Sequence, residues 1–223
     1  LEEQILKPNG MIITTGPTGS GKTTTLYAIL KKLNSPEVKI ITLEDPVEYK
    51  LEGINQSQID HTKKYDFAAG LRSILRQDPD VVMVGEIRDL ETAEIAIQAS
   101  LTGHLVVSTI HTNSAAGAIP RFLSMGVKPF LLSPSLNAVI GQRLVRRLCT
   151  KCKVPADLTL SQRKQVTSIL KAISPAAKVE VNFEALNFFA PGKDKACDVC
   201  SGFGYKGRVG IYEIFTITPR VEE

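Results

Sequence analysis

Gly16-Pro17-Thr18-Gly19-Ser20-Gly21-Lys22-Thr23 is the stretch that decides the fold of this chain. It matches the pattern G-x-x-x-x-G-K-[ST], in which backbone N–H groups of a glycine-rich loop surround phosphate oxygens at a helix N-terminus. The apolar run 11–15 predicts a buried strand before the loop. Apolar residues at helical spacing predict a helix after it, namely Leu26, Ile29, Leu30 and Leu33. A chance glycine-rich turn is the alternative, but the flanking strand and helix favour a nucleoside-triphosphate site.

The chemistry of this loop assigns a role to each polar group. We expect the Lys22 ammonium to reach the β- and γ-phosphates and the Thr23 hydroxyl to bind Mg²⁺. The predicted nucleotide-binding set is Gly16, Pro17, Thr18, Gly19, Ser20, Gly21, Lys22, Thr23 and Thr24.

Strand-like and helix-like patterns alternate beyond the loop, which indicates an α/β domain on a mostly parallel sheet. Apolar runs at 38–43, 81–84 and 105–110 predict strands, and periodic segments at 66–76 and 90–100 predict helices. Pro120 falls inside a helical pattern at 115–125, so we expect a kink or a late helix start there. Ser133-Pro134 resembles a helix start, which predicts a helix to about residue 148.

Composition and charge exclude few classes of protein. The 223 residues carry a net charge of +4, too little for a dedicated nucleic-acid binder. No apolar run has the length of a membrane span and no signal peptide opens the chain, which starts abruptly, so we expect a piece of a longer protein. A basic cluster is interpreted as a solvated helix face rather than a DNA site, with a partner protein or an anionic membrane as further possibilities: Arg143, Arg146, Arg147, Lys151 and Lys153.

Carboxylates follow two of the predicted strands. Glu86 ends the apolar run 81–86 in the Walker B manner, although Gly85 stands where an aspartate is often found, so we assign the metal-side role to Glu86 through water. Glu44, Asp45 and Glu48 form a second acidic cluster. A solvated turn is the alternative for that cluster, but ligands bind at the carboxyl ends of parallel strands.

Two histidines flank the predicted strand 105–110: His104 opens it and His111 ends it. Histidine can donate a hydrogen bond to a phosphate and respond to its loss. A structural donor at a strand end is the competing interpretation.

The four cysteines form two C-x-x-C pairs, Cys149 with Cys152 and Cys197 with Cys200. Four thiolates in this spacing predict a tetrahedral Zn²⁺ site, with disulfides or a redox dithiol as alternatives. We place a small subdomain at 149–206, after a core at 1–148 and before a final strand within 207–223 that returns to the core, with the chain truncated at both ends.

Together the motifs resemble one family, the secretion ATPases that drive type IV pilus assembly and type II secretion. The resemblance rests on the glycine-rich loop and, in order along the chain, on the acidic box 43–49, the run 76–89, the histidine box 102–113, and the segments 142–149 and 207–213. It covers nearly the whole chain.

This resemblance implies a RecA-like P-loop core that works as a homohexamer, with ATP and Mg²⁺ at subunit boundaries. It implies that Lys22 binds phosphate, Glu48 activates water, Glu86 supports the metal and His104 contacts the γ-phosphate. The paired cysteines resemble the family's zinc element, which pilus-retraction motors generally lack, so assembly or secretion is favoured.

The family's amino-terminal domains dock to an inner-membrane platform protein and supply arginines to the active site, and they are absent here. We therefore expect a cytoplasmic ATPase peripherally associated with the inner membrane and no nucleic-acid partner. A DNA translocase with a similar core and a non-catalytic nucleotide-binding scaffold are the competing hypotheses.

Overall fold

The computed structural model describes residues 1–173, 177, 181–183 and 186–218. It divides into two compact units, one formed by Leu1–Leu144 with the chain from Gly210 onward and the other by Val145–Val209. These boundaries differ by a few residues from those expected at 148 and 206. Part of the expected bridging segment between the cysteine pairs, and the end of the segment 207–223, lie outside the described residues.

A seven-stranded sheet organises the first unit. Its strands are β1 (Gly10–Thr15), β2 (Ile40–Glu44), β3 (Asn55–Gln58), β4 (Val81–Val84), β5 (Leu105–Ile110), β6 (Leu136–Leu148) and β9 (Tyr205–Thr216). They lie in the order β3-β2-β4-β5-β1-β6-β9. From β3 to β6 every pairing is parallel, so the carboxyl ends of these strands share one edge of the sheet. The mixed α/β fold with a mostly parallel sheet is confirmed.

Helices cover both faces of this sheet. They are α1 (Glu2–Ile5), α2 (Lys22–Leu33), α3 (Phe67–Leu75), α4 (Leu90–Leu101), α5 (Ala118–Met125) and α6 (Pro129–Ser135). Alternate residues of β1 point to opposite faces, because side chains alternate along a strand. Ile12 packs in the cluster with α1 and α2, whereas Met11 and Ile13 pack in the larger cluster with α3 to α6.

The carboxylates that precede two helices act as caps. Asp66 accepts a hydrogen bond from the Ala69 N–H at 2.9 Å, and Asp89 accepts one from the Thr92 N–H at 2.8 Å. Each bond satisfies an N–H group that has no partner inside its helix. These caps set the amino-terminal ends of α3 and α4.

Proline has different outcomes at two positions. The late helix start expected near Pro120 is confirmed, because α5 begins at Ala118 and places Pro120 in the first turn, where its missing N–H costs nothing. The helix expected from residue 133 to 148 is wrong. A short helix, α6, ends at Ser135, and the chain continues as β6, paired with β1.

The basic residues of that segment therefore lie on a strand, not on a helix face. Arg143, Arg146 and Arg147 are exposed on β6. The Arg146 guanidinium lies 4.0 Å from the ring centroid of Tyr205, which is a cation–π contact.

The second unit is described by itself. A short antiparallel pair joins β7 (Val154–Pro155) to β8 (Phe189–Ala190), and α7 spans Leu160–Lys171. Thr159 and Gln162 form a capping box at the start of α7. Over the described ranges, no helix has the length and apolar character needed to cross a bilayer.

Candidate nucleotide site and tetracysteine centre

The loop between β1 and α2 has the backbone conformation that a phosphate cradle needs. Gly19 and Gly21 adopt φ values of 75° and 88°, a left-handed region that glycine enters without steric cost. The Lys22 ammonium donates to the carbonyl oxygens of Gly16 at 3.0 Å and Pro17 at 3.3 Å, so the lysine lies over its own loop. Burial lowers the pKa of Lys22, and the nearby carboxylate of Glu86 opposes that shift.

Gln142, on β6, holds this loop from behind. Its Nε2 donates to the Ser20 carbonyl at 2.7 Å, and its Oε1 accepts from the Thr25 hydroxyl at 2.7 Å. A Cβ on Gly16 would lie 2.3 Å from the Gln142 carbonyl oxygen, so only glycine fits there. The role of Gln142 was missed from the sequence, because the contact joins positions more than a hundred residues apart.

Glu86 follows β4 at the same edge of the sheet and bridges two basic side chains. Its Oε1 pairs with Arg88, and its Oε2 lies 3.2 Å from Nε2 of His111, just beyond β5. The geometry at Oε2 is not that of a hydrogen bond, and within the described residues this buried oxygen has no hydrogen-bond donor. A buried carboxylate oxygen without a donor fits a cation or a metal-bound water as its missing partner.

The acidic cluster after β2 separates into buried and exposed members. Glu44 is buried and accepts a hydrogen bond from the Tyr27 hydroxyl. Asp45 lies 3.0 Å from His61 Nε2, and Glu48 is exposed. Glu48 is thus free to face solvent at the carboxyl edge, where the loop that carries Lys22 also lies.

His104 requires a correction. It precedes β5, and its carbonyl accepts from the Gly10 N–H at the start of β1, so it lies at the amino-terminal edge of the sheet. Its Nδ1 is 3.2 Å from the Ala99 carbonyl. Since β5 has six residues and each adds about 3.3 Å, the P-loop of the same chain is out of its reach. Of the two histidines that flank β5, His111 is the one at the carboxyl edge of the sheet, where the Lys22 loop lies.

The four cysteines of the second unit meet at one point. Their Sγ atoms all lie within 4.8 Å of one another, with Cys149 and Cys197 at 3.9 Å and Cys152 and Cys200 at 3.6 Å. Tetrahedral zinc with Zn–S bonds of about 2.3 Å requires sulfur separations of about 3.8 Å. A disulfide requires about 2.05 Å, so the geometry fits a metal and not a disulfide.

The electrostatics of the cluster also favour a cation. Backbone N–H groups, first that of Cys152, lower the pKa of the Cys149 thiol to about 7. Burial and the neighbouring sulfurs raise the pKa of Cys152 to about 12. Four thiolates cannot ionise together at this distance without a positive charge among them, and a metal cation held by the four sulfurs would supply that charge.

Known proteins resemble this chain in sequence along its whole length. The sequence model of the family described as "Type II/IV secretion system protein" matches residues 1–223. Type II secretion system protein E of Aeromonas hydrophila is 52% identical over 223 residues, 100% of this chain and 42% of that protein. Type IV pilus assembly ATPase PilB of Myxococcus xanthus is 48% identical over 222 residues, 100% of this chain and 37% of that protein.

A solved structure agrees with the fold. The pilus retraction motor PilT with bound ADP superposes with a TM-score of 0.61 at 36% identity, covering 76% of this chain and 55% of that one. The chain spans less than half the length of the curated relatives cited above. Because the family match runs from the first residue to the last, the chain belongs to the type II/IV secretion system protein family.

Proposed function

We propose that this chain is the ATP-hydrolysing part of a motor for type II secretion or type IV pilus assembly. The observation that carries the proposal is the meeting of the Lys22 loop with Glu86 and His111 at one edge of a parallel sheet. The family supports ATPase activity, because relatives named as a secretion protein E and as a pilus assembly ATPase match the whole chain. Relatives of both kinds match at similar identity, so the proposal covers both machines.

The residues divide the work of hydrolysis among them. Lys22 and the backbone of its loop bind and orient the phosphates, and Glu48 removes a proton from the attacking water. Mg²⁺, held by the Thr23 hydroxyl with Glu86 through water, would supply positive charge against the phosphate oxygens. His111, paired with Glu86, takes the γ-phosphate contact that the resemblance had assigned to His104.

The remaining parts of the proposal concern assembly and location. We propose a homohexamer with ATP at subunit boundaries, docked to an inner-membrane platform protein through domains outside this chain, with the Cys₄ centre holding structural zinc. A cytoplasmic, membrane-peripheral location is supported by the charge of Val145–Val209. That unit contains twelve Lys and Arg residues against five Asp and Glu, and an anionic leaflet attracts such a surface.

Mg²⁺-dependent ATP turnover as a function of protein concentration tests the proposal. Turnover that rises with concentration and is lost in Glu48→Gln, while ATP binding survives, is the expected result. ATP binding without turnover at any concentration, also in a chain extended by its amino-terminal domains, would favour a scaffold. Turnover stimulated by DNA and reduced by salt would favour a translocase.

A further inference from the structure

A buried group of polar side chains lies behind the loop that carries Glu48. It consists of Tyr27, Thr42, Glu44 and Gln56, and we refer to it as the Tyr27 cluster. Tyr27 is 0% exposed and Glu44 is 2% exposed. Glu44 belongs to the acidic group expected after β2, but it is buried here, and the other three side chains have no role in the predicted nucleotide chemistry.

Glu44 is the centre of the cluster. Its Oε2 accepts from the Tyr27 hydroxyl, and its Oε1 accepts from the Thr42 hydroxyl at 2.5 Å and from Gln56 Nε2 at 3.1 Å. In the part of the chain that the structure describes, Glu44 forms no ion pair. A buried carboxylate is costly unless its oxygens are hydrogen-bonded, so the three donors define one arrangement of the cluster.

The cluster holds the backbone of the residues that follow Glu48. Gln56 Nε2 donates to the Tyr49 carbonyl at 3.2 Å, and the Leu51 N–H donates to Gln56 Oε1 at 2.7 Å. The Tyr49 ring packs edge-on against the Tyr27 ring, with centroids 4.7 Å apart. Three contacts therefore constrain this loop: two are made by the ring and the carbonyl of Tyr49 and one by the N–H of Leu51.

Glu48 directly precedes Tyr49, the residue that the cluster holds by its ring and its carbonyl. Burial, followed by the hydrogen bond to Glu44, raises the pKa of the Tyr27 phenol. The backbone N–H groups of Glu48 and Tyr49 act on the pKa of the same phenol in the opposite direction and lower it. The Glu48 side chain remains exposed.

The other end of the cluster is anchored to the phosphate loop. Tyr27 lies on α2, the helix that begins at Lys22. A helix is rigid over this distance of about one and a half turns. The loop that contains Glu48 is thereby held in position relative to α2, the helix that begins with Lys22.

We propose that Tyr27, acting with Glu44, is a positioning residue that fixes the backbone of Glu48 relative to the P-loop helix. The inference rests on the proposed ATPase function and on Glu48 as the group that activates water. Tyr27 and Glu44 are buried, so this role requires no contact of either side chain with nucleotide. Because a misplacement of about 1 Å can cost about 100-fold in rate, loss of the Tyr27 hydroxyl acts on turnover and not on nucleotide affinity.

Tyr27→Phe is the test, with Tyr65→Phe as the matched control. Tyr65 is a half-buried tyrosine in the same unit, and its hydroxyl bonds to Ser57 at 3.2 Å rather than to a member of the Tyr27 cluster. Hydrogen exchange of the peptide 45–52 is measured without nucleotide, and kcat and the Kd of Mg-ATP are measured in parallel. We expect Tyr27→Phe to speed exchange about tenfold or more and to lower kcat about 10- to 100-fold, with Kd within about threefold. Tyr65→Phe should leave all three unchanged.

A double-mutant cycle separates positioning from general loss of stability. If Tyr27 acts through Glu48, Tyr27→Phe should cause no further loss of single-turnover rate in a Glu48→Gln background. Additive losses, or unchanged exchange in peptide 45–52, would overturn the inference. Gln56→Ala removes the hydrogen bonds to the Tyr49 carbonyl and the Leu51 N–H, so it should also speed exchange in peptide 45–52. It replaces Tyr27→Phe as the test variant if Tyr27→Phe folds poorly.

The two readouts also separate this inference from the proposed function. Faster exchange in Tyr27→Phe, with no ATP turnover in the unmodified protein or in a chain extended by its amino-terminal domains, would refute the ATPase proposal and, with it, the catalytic role of the cluster. In the other case the unmodified protein turns over ATP normally, and Tyr27→Phe has the same exchange rate and the same kcat. That result would refute the role of Tyr27 and leave the ATPase proposal standing.

Discussion

Replacement of Gln142 by alanine should damage the phosphate loop from a position outside it. The substitution removes the donor to the Ser20 carbonyl and the acceptor of the Thr25 hydroxyl, both at 2.7 Å. The Gln142 side chain is buried, so water does not freely replace the lost partners. A buried polar group left without a partner costs about 1–3 kcal/mol.

The buried Ser20 carbonyl and the half-buried Thr25 hydroxyl each lose a partner. The two costs together should lower the free energy of unfolding by about 2–4 kcal/mol. If about 1.4 kcal/mol of this loss falls on the phosphate-binding conformation of the loop, the Kd for ADP rises about tenfold. Denaturant unfolding measures the first quantity and titration with a fluorescent ADP analogue measures the second.

Gln98→Ala is the matched control, because Gln98 is exposed on α4 and should change stability by no more than about 0.5 kcal/mol. Gln142→Glu is a sharper variant. It keeps an acceptor for Thr25 but turns an oxygen toward the Ser20 carbonyl, so it should weaken ADP binding as much as alanine does. Unchanged ADP affinity in both Gln142 variants would refute the view that this side chain supports the loop.

Three further predictions follow from the same geometry. Gly16→Ala should abolish nucleotide binding in a titration, because its Cβ would overlap a backbone carbonyl at 2.3 Å; binding within about threefold of the unmodified protein would contradict the structure. His111→Ala should lower ATP turnover about 10- to 100-fold, whereas His104→Ala should leave the Kd of Mg-ATP within about twofold in the unassembled chain; the reverse pattern would restore the original assignment. Cys149→Ser should reduce bound zinc well below one equivalent per chain in a metal assay, and full retention of zinc would place the metal elsewhere.

Local patterns were enough to predict β1, β2, β4 and β5 and the helices α2, α3 and α4, but not β3, whose four residues Asn55–Gln58 are all polar. β1, β4 and β5 are buried along their whole length, and such strands have continuous apolar sequences. The glycine-rich loop could also be predicted from the sequence, because glycine adopts the required backbone conformation without steric cost.

The segment 136–148 shows where local patterns failed. Leu136, Val139 and Ile140 are spaced as on a helix, and a serine–proline pair precedes them. In the structure all three are buried in a strand beside β1, because hydrogen bonds to a strand more than a hundred residues earlier outweigh a weak local preference.

The sequence by itself determined the class of fold, the glycine-rich loop and the two C-x-x-C pairs, because these depend on residue type and short spacing. Sequence order places His104 before β5 and His111 after it, but only the tertiary structure showed that β5 runs parallel to β1, which brings His111 to the edge where the Lys22 loop lies. It also decided that Glu44 is buried against Tyr27 while Glu48 stays exposed. Those outcomes depend on contacts between segments distant in the chain, and no local pattern records them.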